Sequence, residues 1–152
     1  MKLVFSLFFI ACICCTTYAQ GIAVLSQKER SKVVDQWLGE RIETILPKLM
    51  DRSGIDMWLV ISREYNEDPV IKTFLPSTWL AARRRTILVM YKPKGEDEVE
   101  TLAVARYNVG SYFKKAWDPE VEPNQWKRLI ELIKERDPKQ IGINTSEDFG
   151  HA

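Results

Sequence analysis

Three short apolar runs without helical period set what this 152-residue chain can fold into. Residues 55–62 (IDMWLVIS), 86–91 (TILVMY) and 101–107 (TLAVARY) are almost unbroken in apolar side chains. A strand with one wet face alternates polar and apolar residues, so a continuous run predicts a strand covered on both faces. Lys92-Pro93-Lys94-Gly95 and Glu96-Asp97-Glu98 separate the second and third runs with a short, polar, turn-marked segment. That spacing favours an antiparallel, hairpin-like connection. A last short strand is expected at residues 140–144 (QIGIN).

Strands buried on two faces need helices above and below, and the sequence offers two. Ser26-Gln27-Lys28-Glu29 has capping-box spacing, in which the serine oxygen and the glutamate carboxylate satisfy the free amides of a helix start. Behind it Val34, Leu38, Ile42, Ile45 and Leu49 recur every three to four residues, widened by Trp37, Leu46 and Met50. Pro47 falls inside this stripe, where it lacks an amide and crowds the carbonyl four residues back, so a kink or break is expected near residues 44–46. Ser53-Gly54 supplies a left-handed stop. Asn124 can cap a second helix with Trp126, Leu129, Ile130 and Ile133 along one side, ended by Asp137-Pro138. Helix, strand, strand, strand, helix, strand predicts an α/β domain with a mixed sheet flanked by helices.

Residues 1–19 read differently. Lys2 precedes a run of apolar residues at 3–15 broken only by Ser6, too short for a bilayer core but suited to a signal peptide. Thr17-Tyr18-Ala19 places small residues where a signal peptidase reads, with Gln20 as the mature start. A second route, lipidation at Cys12 after Ile10-Ala11, stays open, although Phe9 stands where leucine is preferred. Either route predicts a periplasmic or secreted protein. Cys12, Cys14 and Cys15 are the only cysteines, so the mature domain at residues 20–152 has no thiol and must be held by packing. Lys2 is also the only charge before Gln20, which leaves 21 basic against 21 acidic residues. Neutrality of that kind excludes a polybasic nucleic-acid binder or a membrane-surface protein.

Few residues suggest chemistry. His151 is the only histidine, which leaves a transition-metal centre or a serine or cysteine hydrolase without its usual ligand or base. Neither a G-x-S-x-G elbow, a phosphate-binding loop nor a G-x-G-x-x-G fingerprint occurs. Arg63-Glu64-Tyr65-Asn66-Glu67-Asp68-Pro69 follows the first strand, at an edge where binding residues of α/β sheets often collect, and its carboxylates Glu64, Glu67 and Asp68 are read as a solvated loop tip, with a base or cation role as the alternative. Arg83-Arg84-Arg85 stands directly before a buried strand, where three guanidinium groups repel one another unless something compensates them. They are expected to pair with Glu64, Glu67 or Asp68, or else to meet an interface or a substrate carboxylate. Trp58, Trp79, Trp117 and Trp126 are read as core or core-margin residues, and of these Trp79 and Trp117, which lie in predicted loops, are the better candidates for a subunit contact.

Taken in order, residues 41–49 leading to Gly54-Ile55-Asp56-Met57-Trp58-Leu59-Val60, then residues 84–91, then Gln140-Ile141-Gly142-Ile143-Asn144 form a pattern. It resembles the N-terminal domain of the creatinase, prolidase and aminopeptidase P group of pita-bread metallopeptidases, over most of the mature chain. Residues 63–80 depart from the group, which has an Asn-hydrophobic-Tyr-hydrophobic segment there. The resemblance implies a creatinase-like mixed α/β sheet that is not the catalytic part. It also implies that two divalent metals are held by aspartates, a histidine and glutamates of a following domain. No catalytic, cofactor or metal residue is therefore carried onto this chain, and the end at Asn144 to Ala152 is expected to lead into that domain.

The expected function is that of the exported, non-catalytic N-terminal domain of an Xaa-Pro aminopeptidase-like enzyme. Its partners would be its own C-terminal catalytic domain and a second copy in a homodimer, where it shapes the active-site entrance. Neither nucleic acid nor, once residues 1–19 are removed, a membrane is expected. The contact residues would be Trp79, Arg83, Arg84 and Arg85. The alternative is a free-standing periplasmic α/β module that holds an anionic ligand through Arg83, Arg84 and Arg85. A third reading, an enzyme using the carboxylates at 64–68, is the least supported.

Overall fold

A computed structural model describes residues 24–148; the expected signal peptide with its three cysteines, and His151, lie outside the described residues. Helix α1 (Gln27–Glu40) starts with the predicted capping box: Ser26 Oγ accepts from the Glu29 amide at 3.3 Å and Glu29 Oε2 accepts from the Ser26 amide at 2.8 Å. A wide π turn (Arg41–Ile45) follows, closed by the Leu46 amide donating to the Arg41 carbonyl five residues back. Helix α2 (Leu46–Ser53) then carries Pro47 in its first turn, where a missing amide costs no helical bond.

The π turn changes which residues face the sheet. Leu38, Ile42, Leu46 and Met50 are buried, a spacing of four throughout, whereas Val34, Trp37 and Ile45 are exposed. Twelve residues of uniform α-helix would carry Met50 about 120° away from Leu38. One residue absorbed in the wider turn returns about 100° of that, so the stripe stays aligned. The predicted interruption is present; the predicted stripe is corrected, because the register shift was not legible in the apolar spacing.

Gly54 ends α2 at φ 64°. A Cβ there would meet nothing within 4 Å, so only the left-handed backbone resists substitution. Gly54→Ala is expected to destabilise the domain by about 1 kcal/mol in urea unfolding without altering the folded spectrum.

Strands β1 (Met57–Arg63) and β2 (Arg85–Tyr91) pair antiparallel over their whole length, from Met57 opposite Tyr91 to Arg63 opposite Arg85. Between them residues 69–74 form the short helix α3 (Pro69–Phe74). β3 (Glu100–Val104) pairs antiparallel with β2, as the turn-marked connection predicted. β4 (Lys114–Lys115) runs parallel to β3, and β5 (Ile141–Ile143) runs parallel to β1 after helix α4 (Gln125–Arg136). The result is a mixed five-stranded sheet in the order β4-β3-β2-β1-β5 with helices against it, an α/β fold.

Alternate residues of β1 and β2 feed two separate cores, which is why neither run shows alternation in sequence. Val60, Leu88 and Met90 pack with α1, α2 and α3 on one face; Met57, Leu59, Ile87 and Val89 pack with Leu129 and Leu132 of α4 on the other. Asp56 secures the edge strand, its Oδ2 accepting from the Lys139 and Gln140 amides at 2.8 and 3.1 Å. Arg136 fastens the end of α4 to Glu100 of β3 through a two-point pair at 2.5 and 2.7 Å.

Three sequence expectations change here. The third strand stops at Val104, and Arg106 and Tyr107 turn outward. The inner face of α4 is Gln125, Leu129 and Leu132, while Trp126 and Ile130 are exposed. Asp68 is not part of a solvated loop tip: it is 7% exposed and caps α3 by accepting from the Val70 amide at 2.7 Å. No helix among the described residues is long and apolar enough to cross a membrane.

Candidate functional site: an arginine and aromatic cleft

The register of β1 against β2 places the C-terminal end of one beside the N-terminal end of the other, so Arg63 and Arg85 are direct partners. Both chains leave that end in unusual conformations. Residues 63–66 make a tight turn, with the Asn66 amide donating to the Arg63 carbonyl at 3.1 Å and Tyr65 at φ 69°. Across from it Arg84 sits at φ 54°. The two segments are clasped by a pair of bonds: the Glu64 amide donates to the Arg84 carbonyl at 2.6 Å, and the Arg84 amide donates to Glu64 Oε2 at 2.9 Å. Left-handed non-glycine residues cost of order 1–3 kcal/mol each and persist where the surroundings hold them, a habit of binding and catalytic sites.

Thr86, fully buried, holds residues 83–86 in shape, its Oγ1 accepting from the Arg83 amide and donating to the Arg83 carbonyl, both at 3.2 Å. From α4, Gln125 Nε2 donates to the Val104 carbonyl at 2.6 Å and the Arg85 carbonyl at 3.1 Å, which locks the helix start onto the ends of β2 and β3. Asn124 caps that start through the Trp126 and Lys127 amides. The backbone at this end of the sheet is therefore fixed from both faces.

The side chains that emerge line a cleft of about 950 Å³. Arg63, Arg83, Arg84, Arg85 and Arg106 stand in its wall with a single carboxylate, Glu64. Trp79, Trp117, Tyr65 and Tyr107 complete it; Tyr65 is 93% exposed and Tyr107 59%. The Arg83 guanidinium lies 4.4 Å from the ring centre of Trp79, and that of Arg85 lies 4.9 Å from Trp126. Trp79 packs on the α1–α3 side of the sheet, whereas Trp126 belongs to α4 on the opposite side.

Compensation of the arginine run by the loop carboxylates is not what the structure contains. Glu64 is engaged by the backbone amide of Arg84, and Asp68 by Val70 and Asn144. Among the described residues, the guanidinium groups of Arg63, Arg83, Arg84 and Arg85 form no ion pair with a carboxylate. Arg106 adds to the field that keeps the Asp118 carboxyl below its ordinary value, behind the Glu120 amide and Lys115. The opposite end of the sheet has a smaller cleft of about 550 Å³ whose charges balance in number, Lys92, Lys94 and Lys139 against Asp51, Asp56 and Asp137; Lys92 Nζ meets Asp51 at 2.6 Å and Lys139 meets Asp137. The excess of positive charge is thus a property of the first cleft and not of the second.

The four residues expected as contacts, Trp79, Arg83, Arg84 and Arg85, all come to this cleft, and Trp117 joins them. Arg63 is marked in the sequence only as the start of the segment after the first strand; Arg106 and Tyr107 are read there as the end of the third strand, Gln125 is not singled out, and Trp126 is read as part of the apolar side of its helix. A rule that collects the last two residues of each predicted strand and the one that follows would have found Arg63, Arg106 and Tyr107. Among the described residues, no three His, Cys, Asp or Glu side chains are grouped to hold a metal ion. No protein family, curated protein or solved structure matches this chain.

Proposed function

We propose that this chain is an accessory α/β domain that acts by contact: the exported N-terminal domain of an Xaa-Pro aminopeptidase-like metallopeptidase, whose two metals reside in its catalytic domain. Its working surface is the arginine and aromatic cleft, and the observation that supports the reading is the gathering there of Arg, Trp and Tyr with exposed rings. Those residue types dominate protein interfaces because they offer large area and fixed donors at low entropic cost. Contact there would hold a homodimer together and form part of an active-site entrance, with the guanidinium groups facing carboxylates of a partner or a substrate.

The purified chain is expected to release no N-terminal residue from an Xaa-Pro peptide in the presence of manganese, and activity would refute the proposal. Light scattering after size exclusion should give a dimer mass, with a clean monomer at all concentrations counting against it. The coding frame should continue past Ala152 into a segment with Asp, His and Glu ligands.

A second reading, a free-standing module for an anionic ligand, is favoured by the unpaired guanidinium groups of Arg63, Arg83, Arg84 and Arg85. A stop codon directly after Ala152 would select it.

A further inference from the structure

We infer that the cleft is a binding site for a condensed phosphate, two phosphate groups joined through oxygen, free or at the end of an organic molecule. The inference rests on the anion-binding reading and names its ligand. Five arginines against one glutamate leave a formal excess of four positive charges in a cleft of about 950 Å³. Like charges held by a fixed backbone raise the local potential and draw counter-ions. A single carboxylate would offset a quarter of that excess. One phosphate group carries about −1.5 to −2, so a pair meets most of it within a few ångströms.

The placement of the arginines argues for two anionic groups rather than one. Arg83 is stacked on Trp79 and Arg85 on Trp126, one on each side of the sheet end. Stacking occupies the face of a guanidinium and leaves its N–H edge free, the edge that bonds two oxygens of a phosphate at once. The side-chain entropy lost on binding is reduced because each plane is already held. Between the two stacks lies the clasp of Glu64 and Arg84, which also fixes the strained turn carrying Tyr65. Arg63, Arg84 and Arg106 line the same cleft, so a diphosphate there has guanidinium donors besides those of Arg83 and Arg85. The exposed rings of Tyr65 and Tyr107 at the mouth offer a seat for a flat organic group attached to it.

Trp79 and Trp117 line the cleft and Trp126 contacts Arg85, so tryptophan emission reports occupancy. The full purified chain is to be titrated at constant ionic strength with pyrophosphate, ADP and orthophosphate. Saturable changes are expected for pyrophosphate and ADP at concentrations at least about tenfold below that for orthophosphate. ADP binding tighter than pyrophosphate would point to an organic phosphate and equal binding to the phosphates alone; both uphold the inference. Arg83→Gln and Arg85→Gln should each weaken pyrophosphate about tenfold or more, whereas Lys94→Gln at the opposite end should change nothing. Arg83 is exposed and Arg85 half-buried, and circular dichroism will verify that the variants fold.

Orthophosphate binding as tightly as pyrophosphate would overturn the condensed-phosphate inference and leave the anion-binding reading standing. Absence of any saturable change at matched ionic strength, or arginine variants that bind as before, would overturn both. The accessory-domain proposal is decided separately by the peptidase assay, the dimer mass and the coding frame.

Discussion

Phe113→Ala should lower the unfolding free energy by about 3–5 kcal/mol, the largest loss expected from a single truncation in this domain. Phe113 is fully buried although it lies in the irregular segment between β3 and β4. Its ring meets Phe74 edge to face, with centres 6.0 Å apart and planes at 84°, and Phe74 meets Trp58 in the same manner at 5.8 Å and 87°. That row of rings joins the segment after β3 to α3 and to β1. Paired bonds between Val109 and Phe113, at 2.9 and 3.3 Å, hold the backbone so that it cannot follow the missing ring inward. The cavity would therefore remain open, the condition under which ring deletion costs most. Phe113→Leu should retain most of the stability. Urea unfolding followed by tryptophan emission measures both, and a loss below about 1 kcal/mol for the alanine variant would show that the segment is not anchored by its ring.

Asp68→Ala should cost about 2–4 kcal/mol, from a buried acceptor on which two donors depend directly and a third through Asn144. Trp58 Nε1 donates to Asn144 Oδ1 at 2.9 Å, Asn144 Nδ2 donates to Asp68 Oδ2 at 2.8 Å, and Asp68 Oδ1 accepts from the Val70 amide at 2.7 Å. The chain of bonds ties β1, the end of β5 and the start of α3 together, and its direction requires an acceptor with two oxygens at position 68. Asp68→Asn keeps the shape and supplies one oxygen, so either Asn144 or Val70 loses its partner and about half the cost should remain. If the asparagine variant is as stable as the native protein, the carboxylate is not the keystone of this network. Asn144→Ala should behave like Asp68→Asn in the same unfolding measurement, since it removes one of the same bonds.

The candidate site was half legible. Arg83-Arg84-Arg85 and Trp79 stand out because consecutive charges before a buried strand demand an explanation from the residues alone. Arg106, Tyr107 and Trp126 carry no local mark, and Arg63 and Tyr65 only their place after the first strand. They stand at the ends of three elements, β1, β3 and α4, and only the pairing of Arg63 with Arg85, together with the Gln125 bonds to β2 and β3, brings them to one end of the sheet. The expectation that loop carboxylates neutralise the arginines failed for a related reason. Asp68 had a competing use as the cap of α3 and the partner of Asn144, and nothing within a few residues of it reveals Asn144.

Interactions that close within about four residues could be read without coordinates: the Ser26 and Asn124 caps, the left-handed stop at Gly54, the strands at 57–63 and 85–91, and the α/β class that their two-faced burial demands. Each depends on neighbours that covalent connection already keeps close. The turn of α1 and α2 that buries Leu38, Ile42, Leu46 and Met50, the short elements α3 and β4, and the unpaired state of the arginines emerged only on assembly. Those features are settled by which of several distant partners wins a given contact. That contest is resolved by packing between segments 20 to 80 residues apart, where chain proximity gives no preference.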